Sequence, residues 1–224
     1  MITYEKKYYA SAIVLIGDFS PSMFQPYWFK HFGIISDDEY QNIDKSRLLV
    51  VEPMTTFQTD NFIFNIQLKR FIITAKNEPF ELLLDLFGKL KNYMEFTVIK
   101  NFGINFSYHI ELRNLENMKK FGEVIAPKVY WNSFFDSDET NNEDGLKAME
   151  MTKKTDFGFA NVRIETSAFL KCAIFFNYNY HFSAKDRDSF EMVDVKDILD
   201  ERFFNLAEYS NSISSQLIGD ALKL

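Results

Sequence analysis

The stretch LKCAIFFNYNYHFS, residues 170–183, decides the fold because its side chains alternate in character along the chain. Alternation with a period of two is typical of a β-strand whose two faces meet different surroundings. One face carries Cys172, Ile174, Phe176, Tyr178, Tyr180 and Phe182. The other face carries Lys171, Ala173, Phe175, Asn177, Asn179, His181 and Ser183. The pattern predicts an antiparallel sheet with one face against helices and the other face open.

Other segments supply further strands for this sheet. In Ile104–Leu112, apolar residues alternate with Asn105, Ser107, His109 and Glu111, which predicts a second half-buried strand. The apolar run Tyr8–Gly17 predicts a buried strand. Residues 47–75 are expected to hold two strands, with Pro53 marking an edge or bulge and a shift of phase at Arg70-Phe71 indicating a further bulge. Two more strands are predicted at about Leu146–Lys153 and Phe159–Thr166.

Helical signals fall between these strands. Ser20-Pro21 and Gln25-Pro26 each predict the start of a short helical turn within residues 18–35. Longer helices are predicted at about Pro79–Glu95, Leu115–Val124 and Val195–Ala221, from apolar residues spaced three and four apart. The fold class is therefore α+β, an antiparallel sheet with helices packed on one face.

The order of elements suggests two pseudo-symmetric halves, residues 8–95 and 97–222. The alternative is that an α+β chain produces such an order by chance. We expect a single domain over 1–224, because residues 95–101 form no Pro-, Gly- or Ser-rich linker. The layout resembles that of the TATA-binding-protein saddle, a curved antiparallel sheet backed by helices. A likeness of layout implies no function.

Three segments carry a second resemblance: GDFSPSMFQPYWF (17–29), FGINFSYHIEL (102–112) and APKVYW (126–131). They resemble an uncharacterised family of bacterial proteins. Its members pair a glycine-ended first strand with an F-x-P-x-x-F-x-P-x-W-F-like segment and a later G-I-N strand. The resemblance implies a bacterial protein, but it names no activity and assigns no catalytic residue.

Composition excludes several classes of protein. Hydrophobic residues make up 46% of the 224 residues and aromatic residues 17%, which argues against intrinsic disorder. The single cysteine, Cys172, cannot form an internal disulfide, and its place in the alternation of 170–183 predicts a buried structural thiol. The net charge of −7 and the absence of a basic stripe argue against nucleic-acid binding. No apolar run reaches membrane-spanning length, so we expect a cytoplasmic protein.

Catalytic and cofactor signatures are missing from the sequence. It holds no phosphate-binding glycine motif, no G-x-S-x-G and no H-E-x-x-H, and we expect no cofactor. His109 and His181 lie on the polar side of two strands, with Glu111 beside His109. If the two strands pair, these groups could form a hydrolytic or metal site. The alternative is that each histidine is a solvated residue of the sheet face.

The sequence thus leaves two functions open. The first is a non-enzymatic interaction or scaffold subunit of a bacterial multiprotein system, which binds a protein partner or a second copy of itself. The second is a small-molecule- or peptide-binding domain with a hydrolytic or metal site near His109 and His181. The first is preferred, and its predicted contact residues are Phe175, Asn177, Asn179, His181, His109 and Trp28. Trp28 has an alternative role as an aromatic plug of the core.

The acidic segment 136–144 is predicted to be a mobile loop.

Overall fold

A computed structural model describes residues 4–131, 134, 145–184 and 188–223, so the predicted loop at 136–144 lies outside the described residues. Within these ranges the chain forms one nine-stranded sheet. Its strands are β1 (Glu5–Gly17), β2 (Leu49–Val51), β3 (Met54–Gln58), β4 (Phe62–Gln67), β5 (Arg70–Ala75), β6 (Ile99–Glu111), β7 (Ala148–Lys154), β8 (Gly158–Thr166) and β9 (Ala173–Ser183). The helices are α1 (Pro26–His31), α2 (Asp37–Gln41), α3 (Glu81–Lys91), α4 (Leu115–Ile125) and α5 (Met192–Leu222).

The strands follow the order β2-β3-β4-β5-β1-β6-β9-β8-β7, and neighbouring strands are antiparallel. The two strands at the centre, β1 and β6, each begin one of the predicted halves. From β1 the sheet continues outward through β5, β4 and β3, and from β6 through β9, β8 and β7. A pseudo-two-fold duplication would produce this mirrored order. Duplication and single-domain organisation themselves stay predictions.

Helices cover one face of the sheet, as the alternation predicts. The alternate residues of β9 from Ile174 to Phe182 are buried, and so are those of β6 from Phe102 to Ile110. Rings from the helices pack on this side: Phe203 of α5 lies 5.1 Å from Phe106, and Phe121 of α4 lies 6.1 Å from Phe176, between ring centroids. The predicted α+β class is confirmed. Among the described residues, no helix combines the length and the apolar character that crossing a membrane requires.

The region 47–75 differs from the prediction. It holds four strands, β2 to β5, because the chain turns at Glu52-Pro53 and again after Gln67. The predicted bulge at Arg70-Phe71 is wrong: the pairing of β4 with β5 keeps one register from Phe62 to Gln67. The change of phase comes from the two-residue turn Leu68-Lys69, which reverses the chain.

The start of β9 also differs. The strand begins at Ala173, three residues later than predicted, because Cys172 adopts a φ of 50° in the turn that precedes it. The carbonyl of Cys172 accepts a hydrogen bond of 2.8 Å from the amide of Leu112, which follows β6. The side chain of Cys172 is partly exposed, so the prediction of a buried thiol inside the strand is wrong.

Candidate interaction surface

Five of the six predicted contact residues lie on the sheet face opposite the helices, which we call the open face. His109 lies on β6, and Phe175, Asn177, Asn179 and His181 lie on β9. The register pairs His109 with Phe175, Ser107 with Asn177, Asn105 with Asn179 and Gly103 with His181. Side chains of facing residues in an antiparallel pair point to the same side of the sheet. The two strands therefore present these five residues as one continuous surface.

Trp28 does not belong to this surface. It lies on α1, where its ring packs 5.0 Å from Phe24 and 5.0 Å from Phe32, between ring centroids. The next residue, Phe29, lies 4.7 Å from Phe64 on the helix-covered side of the sheet. Trp28 is partly buried against the core. Its contacts match the predicted aromatic plug and separate it from the other five residues.

The two histidines share the open face but not a site. His181 pairs with Gly103, which is six residues from His109 along β6. At about 3.3 Å per residue, the two backbones are roughly 20 Å apart along the strand. Each imidazole has its own aromatic neighbour: His181 stacks on Phe159 of β8 at 4.4 Å, and His109 lies 4.5 Å from Phe175. A single reaction centre cannot use both rings.

His109 forms a hydrogen bond that the sequence did not indicate. Its Nδ1 lies 2.9 Å from the hydroxyl of Ser167, in the turn between β8 and β9. The same hydroxyl oxygen accepts hydrogen bonds from the amides of Phe169 and Leu170, at 3.1 and 3.0 Å. With its lone pairs engaged, the oxygen donates its proton to the imidazole, which is then a neutral acceptor. Burial lowers the pKa of His109, partly opposed by Glu165, and this favours the same neutral form.

This geometry is that of a structural link. A hydroxyl that attacks a carbonyl needs a free lone pair, and both lone pairs of Ser167 are bound to backbone amides. The bond ties β6 to the β8–β9 turn. Glu111, the predicted carboxylate partner of His109, instead lies 3.6 Å from the ammonium of Lys7. The described residues contain no group of three or more His, Cys, Asp or Glu side chains placed to hold a metal ion.

Three charged residues at the outer end of the open face form ion pairs with one another. Arg163 of β8 lies 2.8 Å from Glu165 and 3.7 Å from Glu150 of β7, between nitrogen and oxygen atoms. These three residues face the same side as Phe175 and Asn177, because Arg163 pairs with Asn177 and Glu165 with Phe175. Mutual pairing leaves this part of the face with little net charge. What it offers a partner is amides and aromatic rings.

A row of three asparagines crosses the open face. Asn105 of β6 pairs with Asn179 of β9, which in turn pairs with Asn161 of β8. The Oδ1 atoms of Asn105 and Asn161 are buried, and neither accepts a hydrogen bond from any residue that the structure describes. A buried acceptor without a donor costs about 1–3 kcal/mol. Because both atoms have almost no accessible surface, a partner at the face can reach them only if the asparagine side chains rotate outward.

Sequence reasoning missed the residues that β8 adds to the face, which are Phe159, Asn161, Arg163 and Glu165. The sequence does contain a pattern that groups them: these residues alternate along the predicted strand with smaller or apolar residues. Alternation shows that these residues share one side of the strand, but which side of the sheet that is becomes known only from the register against β9.

A cleft of about 1090 Å³ lies between α4 and the β8–β9 turn. Its walls include Met118, Phe121, Ile164, Ser167 and Cys172. Neither His109 nor His181 lines it, and His109 is connected to it through the hydrogen bond to Ser167.

Comparisons with known proteins bring no assignment to this surface. No protein-family model matches the chain, and a search of the curated proteins finds no match to its sequence.

Proposed function

We propose that the protein is a cytoplasmic, non-enzymatic interaction subunit of a bacterial multiprotein system, and that the open face is its contact surface. The partner is a protein, either of a different kind or a second copy of the chain. The observation that carries the proposal is the grouping of His109, Phe175, Asn177, Asn179 and His181 on one face that the helices leave uncovered.

The chemistry of the face supports a protein contact. Centres of protein interfaces are enriched in aromatic side chains and depleted in charge. Two aromatic pairs, the stacked Phe159 with His181 and the tilted His109 with Phe175, supply rigid aromatic area on either side of the asparagine row. The side-chain amides of Asn177 and Asn179 are only partly buried and offer both donors and acceptors to a partner's amides.

The charge of the chain supports a protein over a nucleic acid. Nucleic-acid binders place unpaired Lys and Arg side chains against phosphates. Here the net charge is −7. Of the two basic residues that β7 and β8 place on the open face, Arg163 is engaged by Glu165, and Lys154 alone forms no ion pair with a described residue. A protein partner with a basic or amide-rich surface suits both features.

The test replaces two residues in the centre of the face, Phe175→Glu with Asn179→Lys. Both side chains point away from the helices, so the core residues of β9 stay unchanged. The matched control makes the same two kinds of change on the outer side of α5, Tyr209→Glu with Asn211→Lys, where both residues are exposed. Tagged wild type and both variants are used for affinity capture from the host, with mass spectrometry, and the captured protein is then purified and titrated against each chain.

We expect the open-face variant to lose the partner while its thermal unfolding matches that of the control. If the open-face variant keeps the wild-type mass by light scattering and binds every wild-type partner with unchanged affinity, the face is idle and the proposal fails.

A further inference from the structure

Strand β7 forms one edge of the sheet, and its backbone groups alternate between the sheet and the outside. The amide of Thr155 donates to Gly158 at 3.0 Å, and the carbonyl of Lys147 accepts from Thr166 at 3.2 Å. The register of β7 with β8 is regular, so the odd-numbered residues make the hydrogen bonds to β8. The N–H and C=O groups of Ala148, Glu150, Thr152 and Lys154 therefore point outward. No strand within the described ranges pairs with this side of β7.

The sequence of β7, AMEMTKK, is complementary to itself when one copy runs antiparallel to another. A two-fold axis through Thr152 places Thr152 opposite its own copy and Glu150 opposite Lys154, once on each side of the axis. All of these are even-numbered residues with outward-pointing backbone groups. Each facing pair can therefore exchange two backbone hydrogen bonds. Opposite charges directly across a strand pair stabilise it, and like charges destabilise it.

Charge selects this register over its neighbours. An axis at Glu150 would place two glutamates opposite each other, and an axis at Lys154 would place two lysines opposite each other. An axis at Lys153 would set Glu150 against Asp156 of the other copy. An axis at Met151 would leave Glu150 opposite Thr152 and Lys154 opposite Ala148, without any charge pair. Of these five axes, only the one at Thr152 places Glu150 and Lys154 opposite residues of opposite charge.

We propose that two copies of the chain join through their β7 strands, antiparallel about a two-fold axis at Thr152, so that the sheet continues from one copy into the other. Lysine on an edge strand commonly prevents such pairing. Here Lys154 is exposed and forms no ion pair with a described residue of its own chain. Across the axis it lies opposite Glu150 of the other copy. Met151 is 58% exposed in the single chain and lies on the other face of the sheet from Glu150. In the dimer it lies diagonally across the axis from Met151 of the other copy, and that contact covers part of its side chain.

The opposite edge of the sheet is poorly suited to the same role. Strand β2 has three residues and ends at the turn that contains Pro53. Pairing through β7 uses an edge, not the open face, and does not rest on the proposed function. It would align the open faces of both copies, because Glu150, Thr152 and Lys154 face the same side as Phe159 and Asn161.

The test uses charge reversal in the full chain, read by sedimentation equilibrium against the chain mass of 26.4 kDa. Glu150→Lys places lysine opposite lysine, and Lys154→Glu places glutamate opposite glutamate. We expect wild type to dimerise and each single variant to dimerise at least about tenfold more weakly, which corresponds to about 1.4 kcal/mol. An equimolar mixture of the two variants restores complementary pairs, so we expect it to form a heterodimer with wild-type affinity.

A second pair of variants tests the backbone. Thr152→Pro removes an outward-pointing N–H and spares the hydrogen bonds to β8, since proline is tolerated on an edge strand where its nitrogen faces outward. Thr152→Val is the matched control that keeps the N–H. The proline variant should be monomeric with a melting temperature close to that of the valine variant.

A monomeric wild type at every soluble concentration overturns the proposal. So does a wild-type dimer that both single charge variants retain. If the open-face variant Phe175→Glu with Asn179→Lys abolishes that dimer while the β7 variants do not, the two copies meet through the open face instead. Loss of the other partner by the open-face variant alone, with the β7 dimer intact, leaves this proposal standing.

Discussion

The hydroxyl oxygen of Tyr180, on β9, lies 2.7 Å from the hydroxyl oxygen of Ser210 on α5. Ser210 donates its own proton to the carbonyl of Leu206 one turn earlier, at 2.8 Å, so Tyr180 is the donor of the shared bond. The same arrangement recurs one turn further along, where Tyr178 donates to Ser214 at 2.7 Å and Ser214 donates to the carbonyl of Ser210. Two aligned tyrosines thus fix α5 to the covered face of the sheet.

The first prediction concerns this pair. Ser210→Ala leaves the buried Tyr180 hydroxyl without an acceptor and should lower the free energy of unfolding by about 1–3 kcal/mol. Tyr180→Phe removes the donor as well, so the double variant should lose less than the sum of the two single losses. Urea unfolding of the four chains measures the coupling. Tyr209→Phe, at an exposed position of α5, is the control and should be neutral; strict additivity would contradict a shared bond.

The second prediction separates stability from binding at Trp28. Its ring packs against Phe24, Phe29 and Phe32, so Trp28→Ala should destabilise the fold by about 3 kcal/mol. Tyr27→Ala is the control, because Tyr27 is 61% exposed and its loss should cost little. Thermal unfolding and partner titration are measured on both. A Trp28 variant with an unchanged melting temperature and lost association would make this residue an interface anchor instead.

The third prediction concerns the stability of the fold at acidic pH. Burial lowers the pKa of His109 and of His181 below the ordinary imidazole value. The folded chain therefore binds protons less tightly than the unfolded chain, whose histidines titrate near pH 6.5. Stability from these groups is complete above that pH and falls as the pH drops through it. Chemical unfolding at a series of pH values from about 7 to 5 should show this loss, and a His109→Gln, His181→Gln variant should show a flatter profile.

The fourth prediction compares two glycines. Gly158 has a φ of 152°, and a Cβ there would lie 2.3 Å from the carbonyl oxygen of His181, so Gly158→Ala should cost about 2 kcal/mol or more. Gly219 lies in α5 with no atom within 4 Å of an added Cβ, so Gly219→Ala should stabilise the chain by about 0.5–1 kcal/mol. Differential scanning calorimetry gives both shifts; equal signs would contradict the local geometry.

Local patterns predicted the strands that carry the candidate surface. The alternation in β6 and β9 placed His109, Phe175, Asn177, Asn179 and His181 on the side away from the helices, since alternation depends only on pleating and burial. The sequence did not establish that β6 pairs with β9, because pairing and register depend on segments far apart in the chain.

Long-range contacts account for what sequence reasoning missed. The bond from His109 to Ser167 joins residues 58 positions apart, and nothing local to either residue indicates it. The aromatic residues around Trp28 do not indicate from sequence which face of the sheet they cover. At Cys172 the alternation of side chains continues through a residue whose backbone has already left the strand, so the alternation placed the thiol wrongly.

The central position of β1 has a consequence for synthesis of the chain. β1 is made before β6, yet its pairing with β6 needs residues 99–111, and β5 pairs only with its other edge. Until β6 leaves the ribosome, the run Ile13-Val14-Leu15 presents one bare edge, which is a template for aggregation. A chain stopped after α3 would keep that edge permanently. We therefore expect truncation near residue 98 to yield insoluble protein, and folding of the full chain to wait for its second half.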